Sequence, residues 1–398
     1  MTSVFKFNSY HLVFILLWGW ALNIWSIFNV GDYSLTVWMF LSCLMIMYVV
    51  RNLRSFSYDL IVVIYLFLLS FLCGFITGIG KNVLSSLIQQ IIAIVFLLAG
   101  YAVNWKSTFR YFCNVYKAVF FVAFAYAIYQ FAARSFGLPL DYLPVTNLQI
   151  GSDEGFQRGY SFAHVGFNRV SSFFIEPSVY ARFNTGFLAL VLAGAFPKKQ
   201  TLYLFAILLS IFISASGTAV IVVLLLLSLF LILSGSLKNY IKYILLTLFA
   251  LALVLLTVPE RFMGIISHAF SSDYESQRRF AHVATNIDTI LERPLFGYGI
   301  GNALDFAPDG IYNSFTFLAM ERGLIGATLF LVTFVYVGFM TLRRYKVNSV
   351  FKFLVFMISA EFLFLGSEAG VYFFYTYFIF GFALNAIVNN EHQDKYLI

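Results

Sequence analysis

Charge is scarce in this chain of 398 residues. Asp, Glu, Lys and Arg make up 11% of it, against roughly 25% in an ordinary soluble domain. Hydrophobic residues make up 61%, and the mean hydropathy is +0.87. A water-soluble globule is excluded, and the lipid bilayer is the first expected partner. Acidic residues are rarer than basic ones, 18 against 25, giving a net charge of +7 and a pI near 9.1. In a soluble protein that balance would suggest nucleic acid. In a chain this apolar the positive-inside bias is the simpler cause, and no nucleic-acid partner is expected. Cysteine is nearly absent: Cys43, Cys73 and Cys113 lie in or beside apolar runs. None is placed for a disulfide, and no ligand spacing suggests zinc.

What is abundant is apolar sequence, including 49 Phe residues. Runs long enough to span number about twelve. They lie near 10–30, 34–50, 59–79, 84–103, 112–134, 178–196, 200–214, 218–235, 239–258, 314–341, 350–367 and 370–389. The first reads as a retained helix, because no small-residue cleavage site follows it. The junction "ISASGTAV" (213–220) reads as a tight turn or a helix broken at membrane depth. The fold expected is an all-α integral membrane protein, a single polytopic domain over 1–398. About twelve transmembrane helices, two long extracytoplasmic loops and cytoplasmic N- and C-termini complete it. With that orientation 15 of the 25 cations fall on the cytoplasmic side, among them Arg51, Lys198, Lys199, Lys238, Lys242 and Arg343.

Both long hydrophilic segments, 135–177 and 259–313, then fall outside, and only they have room for an aqueous site. The first reads as an irregular loop. The second contains a helix near 273–291. "SDYE" (272–275) fits a capping box, and Phe280, Val283, Ala284, Ile287 and Leu291 recur at helical spacing. This helix is expected to lie on the membrane face with that stripe toward protein or lipid.

The outer cations differ in kind from the inner ones. Nine of ten are Arg, whereas ten of the fifteen inner ones are Lys. Topology needs only charge, so it does not explain the split. A guanidinium fork binds phosphate bidentately, which points to a phosphate or pyrophosphate site, with pairing to outer acids as the structural alternative. Two clusters stand out. Arg169 and Glu176-Pro177-Ser178 flank the sixth span, and Arg182 follows within it. Pro177 fits a first helical turn and Glu176 its positive dipole end, so Glu176 also reads as a plain cap. Arg182 within a span needs a partner or a function. The second cluster is Arg278, Arg279 and His282, neighbours at offsets of three and four on the loop helix, where a solvated face is the alternative. Glu361 and Glu368, in or beside the eleventh span, read as partners for buried arginines such as Arg182 and Arg322. "GYGIGN" (297–302) lies outside with no strand before it, so a dinucleotide loop is excluded. It reads as flexible backbone near a site. The histidines form no metal set, and no cofactor is expected.

"RVSSFFIEPSVYA" (169–181) resembles the Arg…Glu-Pro-Ser segment of Wzy-type polysaccharide polymerases. "RPLFGYGIGNALDFAPDGIYNSFTFLAMERGLIG" (293–326) resembles the signature shared by those polymerases and O-antigen ligases, and "SASG" (214–217) their Ser/Gly turn. The resemblance implies a metal-independent, inverting integral-membrane glycosyltransferase of the bacterial inner membrane, its active site facing the periplasm. Donor and acceptor would be undecaprenyl-pyrophosphate-linked oligosaccharides. A chain-length regulator and a flippase are the partners expected of such polymerases. Arg169, with Arg278 or Arg279, would hold the pyrophosphate. Glu176 would orient an arginine or hydroxyl, or act as base, with His282 and Asp309 as other candidates. Arg182, Arg293, Tyr312 and Asn313 would line the substrate. Ligases often carry His-Asn where this sequence has Tyr312-Asn313, which favours a polymerase over a ligase. A flippase or transporter predicts short loops and a pseudo-repeat, and neither is found.

Overall fold

The computed structural model describes residues 8–21, 26–30, 33–53, 55–136, 138, 170–174, 177–214, 216–234, 241, 245, 285–307, 311, 313–366 and 374–394. They are overwhelmingly helical. Among the described residues three helices are long and apolar enough to cross a membrane: Val83–Ala102, Trp105–Ala133 and Ser314–Leu342. The first, 20 residues long, rises about 30 Å, the thickness of a hydrocarbon core. Ser9–Trp20, Phe40–Asn52, Tyr58–Cys73 and Thr218–Ser234 are apolar but shorter. The run at 239–258 lies outside the described residues, apart from Ile241 and Leu245.

One expectation is corrected. The first two runs do not stay helical throughout. The first helix ends at Ala21, and Ser26–Val30 pairs antiparallel with Tyr33–Thr36, Val30 opposite Tyr33. Ile, Val, Tyr and Thr suit strands. Periodicity in hydropathy alone does not separate such a segment from a helix.

The sixth and seventh runs are two helices that meet at a sharp bend. Helices Pro177–Leu192 and Pro197–Ser214 are bent by 113° at a short break, the geometry of a broken span or a re-entrant pair. Gly194 turns left-handed at φ 78°, and Ala195 N–H bonds the Leu190 carbonyl at 3.1 Å. This is a glycine-terminated helix end, and Pro197 opens the next segment. "SASG" resolves as a helix end at Ser214 and a fresh start at Gly217, with Ser216 capping.

The contacts divide the chain into two compact units. One comprises residues 1–48 and 106–270, the other 49–105 and 271–398. The core of the first is aromatic: Phe183 packs on Trp20 and Tyr116, and Phe187 on Phe120 and Tyr203. The Pro177–Leu192 helix runs through it with nearly every residue buried. In the second unit Phe67 meets Phe330, Tyr377 and Phe380, and Phe334 meets Phe380. With no water to expel inside a bilayer, such dispersion contacts carry helix association.

Candidate active site

In the second unit, the segment 293–326 folds into a clasp around a helix break. Gly323 interrupts the Ser314–Leu342 helix with φ 69° and ψ 179°. A break at this point strips backbone groups of their helical partners, and within a membrane each must find another. The glycine-rich turn supplies them. Tyr298 N–H bonds the Met320 carbonyl at 2.7 Å and Gly299 N–H the Glu321 carbonyl at 3.1 Å. Beyond the break, Leu324 N–H bonds the Pro294 carbonyl at 2.7 Å and Ile325 N–H that of Leu295 at 3.4 Å. The turn passes through three glycines with positive φ, 297, 299 and 301.

Side chains close the clasp. The Glu321 carboxylate, 1% exposed, accepts the Gly301 N–H at 2.9 Å. Arg322, equally buried, donates from Nη1 to Ser70 Oγ at 3.2 Å and lies 5.2 Å from the Phe71 ring centroid. Ser70 in turn donates to the Gly326 carbonyl at 2.7 Å. On its other side the turn is stitched to the end of the Tyr58–Cys73 helix. Ile300 N–H bonds Gly74 O at 3.2 Å, and Gly80 N–H bonds Ile300 O at 2.8 Å. The expectation of flexible backbone at 297–302 is therefore corrected. The turn is held on both sides because the helix break needs its amides and carbonyls.

The sequence-predicted residues fare unevenly. Arg169, Glu176, His282, Arg278, Arg279 and Tyr312 lie outside the described residues, as do Glu368 and Asp309. Asn313 is the N-cap of the Ser314–Leu342 helix, its Oδ1 accepting Thr316 N–H at 2.7 Å. Arg293 is exposed, its guanidinium 5.0 Å from the Tyr298 ring centroid. Arg182 is 1% exposed in the first unit. Its helix carries a buried polar chain in which Asn184 Nδ2 donates to Ser210 Oγ and Ser210 to Tyr180 Oη, each at 2.6 Å. Buried Glu361 accepts the Thr376 hydroxyl. Residues 285–292 are helical, and there Asn286 and Ile290 are buried while Ile287 and Leu291 are exposed. The side turned into the protein is thus the one beside the expected stripe.

Sequence reading missed a buried anchor between Ser172 and Gln130. Ser172, three residues after Arg169, is the one described non-glycine residue with left-handed backbone, φ 54°. Gln130 holds it from both sides, accepting Ser172 N–H at 2.7 Å and donating to Ser172 O at 3.1 Å. Ser172 Oγ bonds Ala123 O at 2.7 Å. This anchor fixes the backbone of Ser172. Only a Gln in mid-span hinted at it, and its partner lies 42 residues away.

A family model described as O-antigen ligase (Wzy_C) matches residues 202–331. The match contains the whole clasp and stops short of Arg169 and Glu176. No curated protein matches the chain. Over residues 202–331, about a third of its length and including the clasp, the chain is thus similar to the O-antigen ligase family.

Proposed function

We propose that the protein is a polysaccharide polymerase working at the outer leaflet of the bacterial cytoplasmic membrane. The growing glycan leaves its undecaprenyl-pyrophosphate carrier and joins the non-reducing end of the next lipid-linked repeat unit. The sugar C1–O bond to pyrophosphate breaks, a C1–O bond to the acceptor hydroxyl forms with inversion, and the hydroxyl proton is released. Arg169, with Arg278 or Arg279, offsets the charge gathering on the leaving pyrophosphate. Glu176 orients the acceptor hydroxyl or takes its proton, with His282 and Asp309 as the other bases in reach of sequence. A pyrophosphate leaving group lessens the need for a strong base.

The observation carrying polymerase over ligase is Tyr312 before the Asn313 cap, where ligases often have His. The second reading, a ligase, is favoured by the description of the matching family itself. A polymer ladder on a gel separates them. Cells lacking the gene are complemented with wild type, Arg169→Ala or Arg278→Ala at matched membrane levels. A polymerase leaves single repeat units capped on the acceptor in the deletion strain, and the ladder returns only with wild type. Absence of all capped glycan in the deletion strain would put the ligase, or a flippase, first.

A further inference from the structure

The clasp presents a surface patch that its own hydrogen bonding does not require. Tyr298 is 5% exposed and its ring has two near neighbours. Phe306 stacks on one side, ring centroids 4.0 Å apart and planes at 28°, while the Arg293 guanidinium lies 5.0 Å from the same ring. The Tyr298 hydroxyl donates to a Glu292 carboxylate oxygen at 2.6 Å, and its oxygen lies 3.0 Å from the Thr289 carbonyl. The outer members of this stack face away from the protein. Phe306 is 45% exposed, and Glu292, Arg293 and Asp305 are exposed beside it.

We propose that this patch is a saccharide subsite. An aromatic face carries negative charge density and attracts the polarised C–H bonds on one face of a pyranose. Tyr298 behind it holds the Phe306 ring in place, so little ordering is left to binding. The carboxylates of Glu292 and Asp305 accept sugar hydroxyls and the Arg293 guanidinium donates to their oxygens. Two acids beside the ring favour a glycan over an anionic lipid headgroup, which they repel. The assignment rests on the reading that the substrate is a lipid-linked glycan. It adds a place where the sugar chain is held by residues other than the arginines assigned to pyrophosphate.

The test uses the full-length protein in nanodiscs. The probe is the repeat-unit oligosaccharide, freed by mild acid from the pyrophosphate carrier of the lipid-linked single repeat units, with binding read by calorimetry. Phe306→Ala should weaken binding roughly fivefold or more, equivalent to about 1 kcal/mol. Phe306→Tyr should retain it. Because Phe306 is exposed, the melting temperature should hardly move. Glu292→Gln, which keeps an acceptor for Tyr298, should weaken binding as well. Unchanged binding in Phe306→Ala overturns the proposal, as does a wild-type protein that ignores the probe. A Phe306→Ala variant that binds normally but melts earlier only in lipid marks a membrane anchor instead. Failure of the polymerase reading looks different: the probe binds through Phe306, yet the deletion strain keeps its ladder.

Discussion

Gly323 carries two burdens at once. Its φ of 69° is left-handed, and a Cβ there would sit 2.1 Å from the Leu295 carbonyl oxygen. The conformation alone costs a non-glycine residue about 1–2 kcal/mol, and the clash falls on backbone that cannot swing away. Gly323→Ala should therefore yield little folded protein by fluorescence size exclusion; a normal monodisperse peak would mean the break is dispensable. Glu321 gives a graded companion. Glu321→Gln keeps an acceptor for Gly301 N–H and should fold. Glu321→Ala leaves that buried donor unmet at a cost of about 1–3 kcal/mol, which should lower the melting temperature in detergent. The pattern "ERG" is visible in the sequence, but its purpose is not. Nothing local says that the Glu serves an amide twenty residues earlier.

Tyr298 supports a pH prediction. Burial, and then the Glu292 carboxylate it bonds, push its hydroxyl up to about 12 from an ordinary 10. The folded value lies above the unfolded one. The neutral side chain therefore contributes its stability in full below pH 10, and that contribution is lost as pH rises from 10 to 12. The stability difference between wild type and Tyr298→Phe should be flat below pH 10 and fall for wild type above it. Parallel curves through pH 12 would remove the Glu292 bond from the account.

Among the elements, the tightest joint lies within the second unit. Helices Val83–Ala102 and Phe374–Asp394 approach so closely that a Cβ on Gly381 would lie 1.8 Å from the Leu97 carbonyl oxygen. Asn385 Nδ2 bonds the Tyr101 carbonyl at 2.7 Å along the same seam. Such approach needs residues without side chains. Gly381→Ala should force the helices apart and cost about 1–3 kcal/mol, seen as a lower melting midpoint; an unchanged midpoint would deny the contact. Element type was largely legible from the long apolar runs. Partnership was not, because a glycine in a span does not say which helix it meets. The hairpin at 26–36 escaped for a related reason: its strands sit inside runs whose hydropathy also suits helix. The Ser172–Gln130 anchor escaped because its two halves are distant in sequence.

At the scale of the whole molecule the open issue is how often the chain crosses the membrane between Pro177 and Ser214. Two spans put Lys198 and Lys199 in the cytoplasm and return the chain to the outside; a re-entrant pair also returns it but keeps the turn at membrane depth. A single broken span instead places Ser214 inside and flips everything after it. That would carry Lys238 and Lys242 outward and the 259–313 segment, with Arg278 and Arg279, into the cytoplasm. Lys198 and Lys199 are exposed at the turn between the helices. Two adjacent ammonium groups held at membrane depth are costly, and two further cations outside would defy the positive-inside bias. Charge therefore favours two crossings. In a background without the three native cysteines, Lys198→Cys should react with an impermeant maleimide only after spheroplasts are permeabilised. Asp273→Cys should react in intact ones. Labelling of both from outside would make the pair re-entrant and leave the arginine site where it is proposed. Protection of Asp273→Cys in intact spheroplasts would put Arg278 and Arg279 on the side away from a periplasmic glycan, and their assignment to the pyrophosphate would fall.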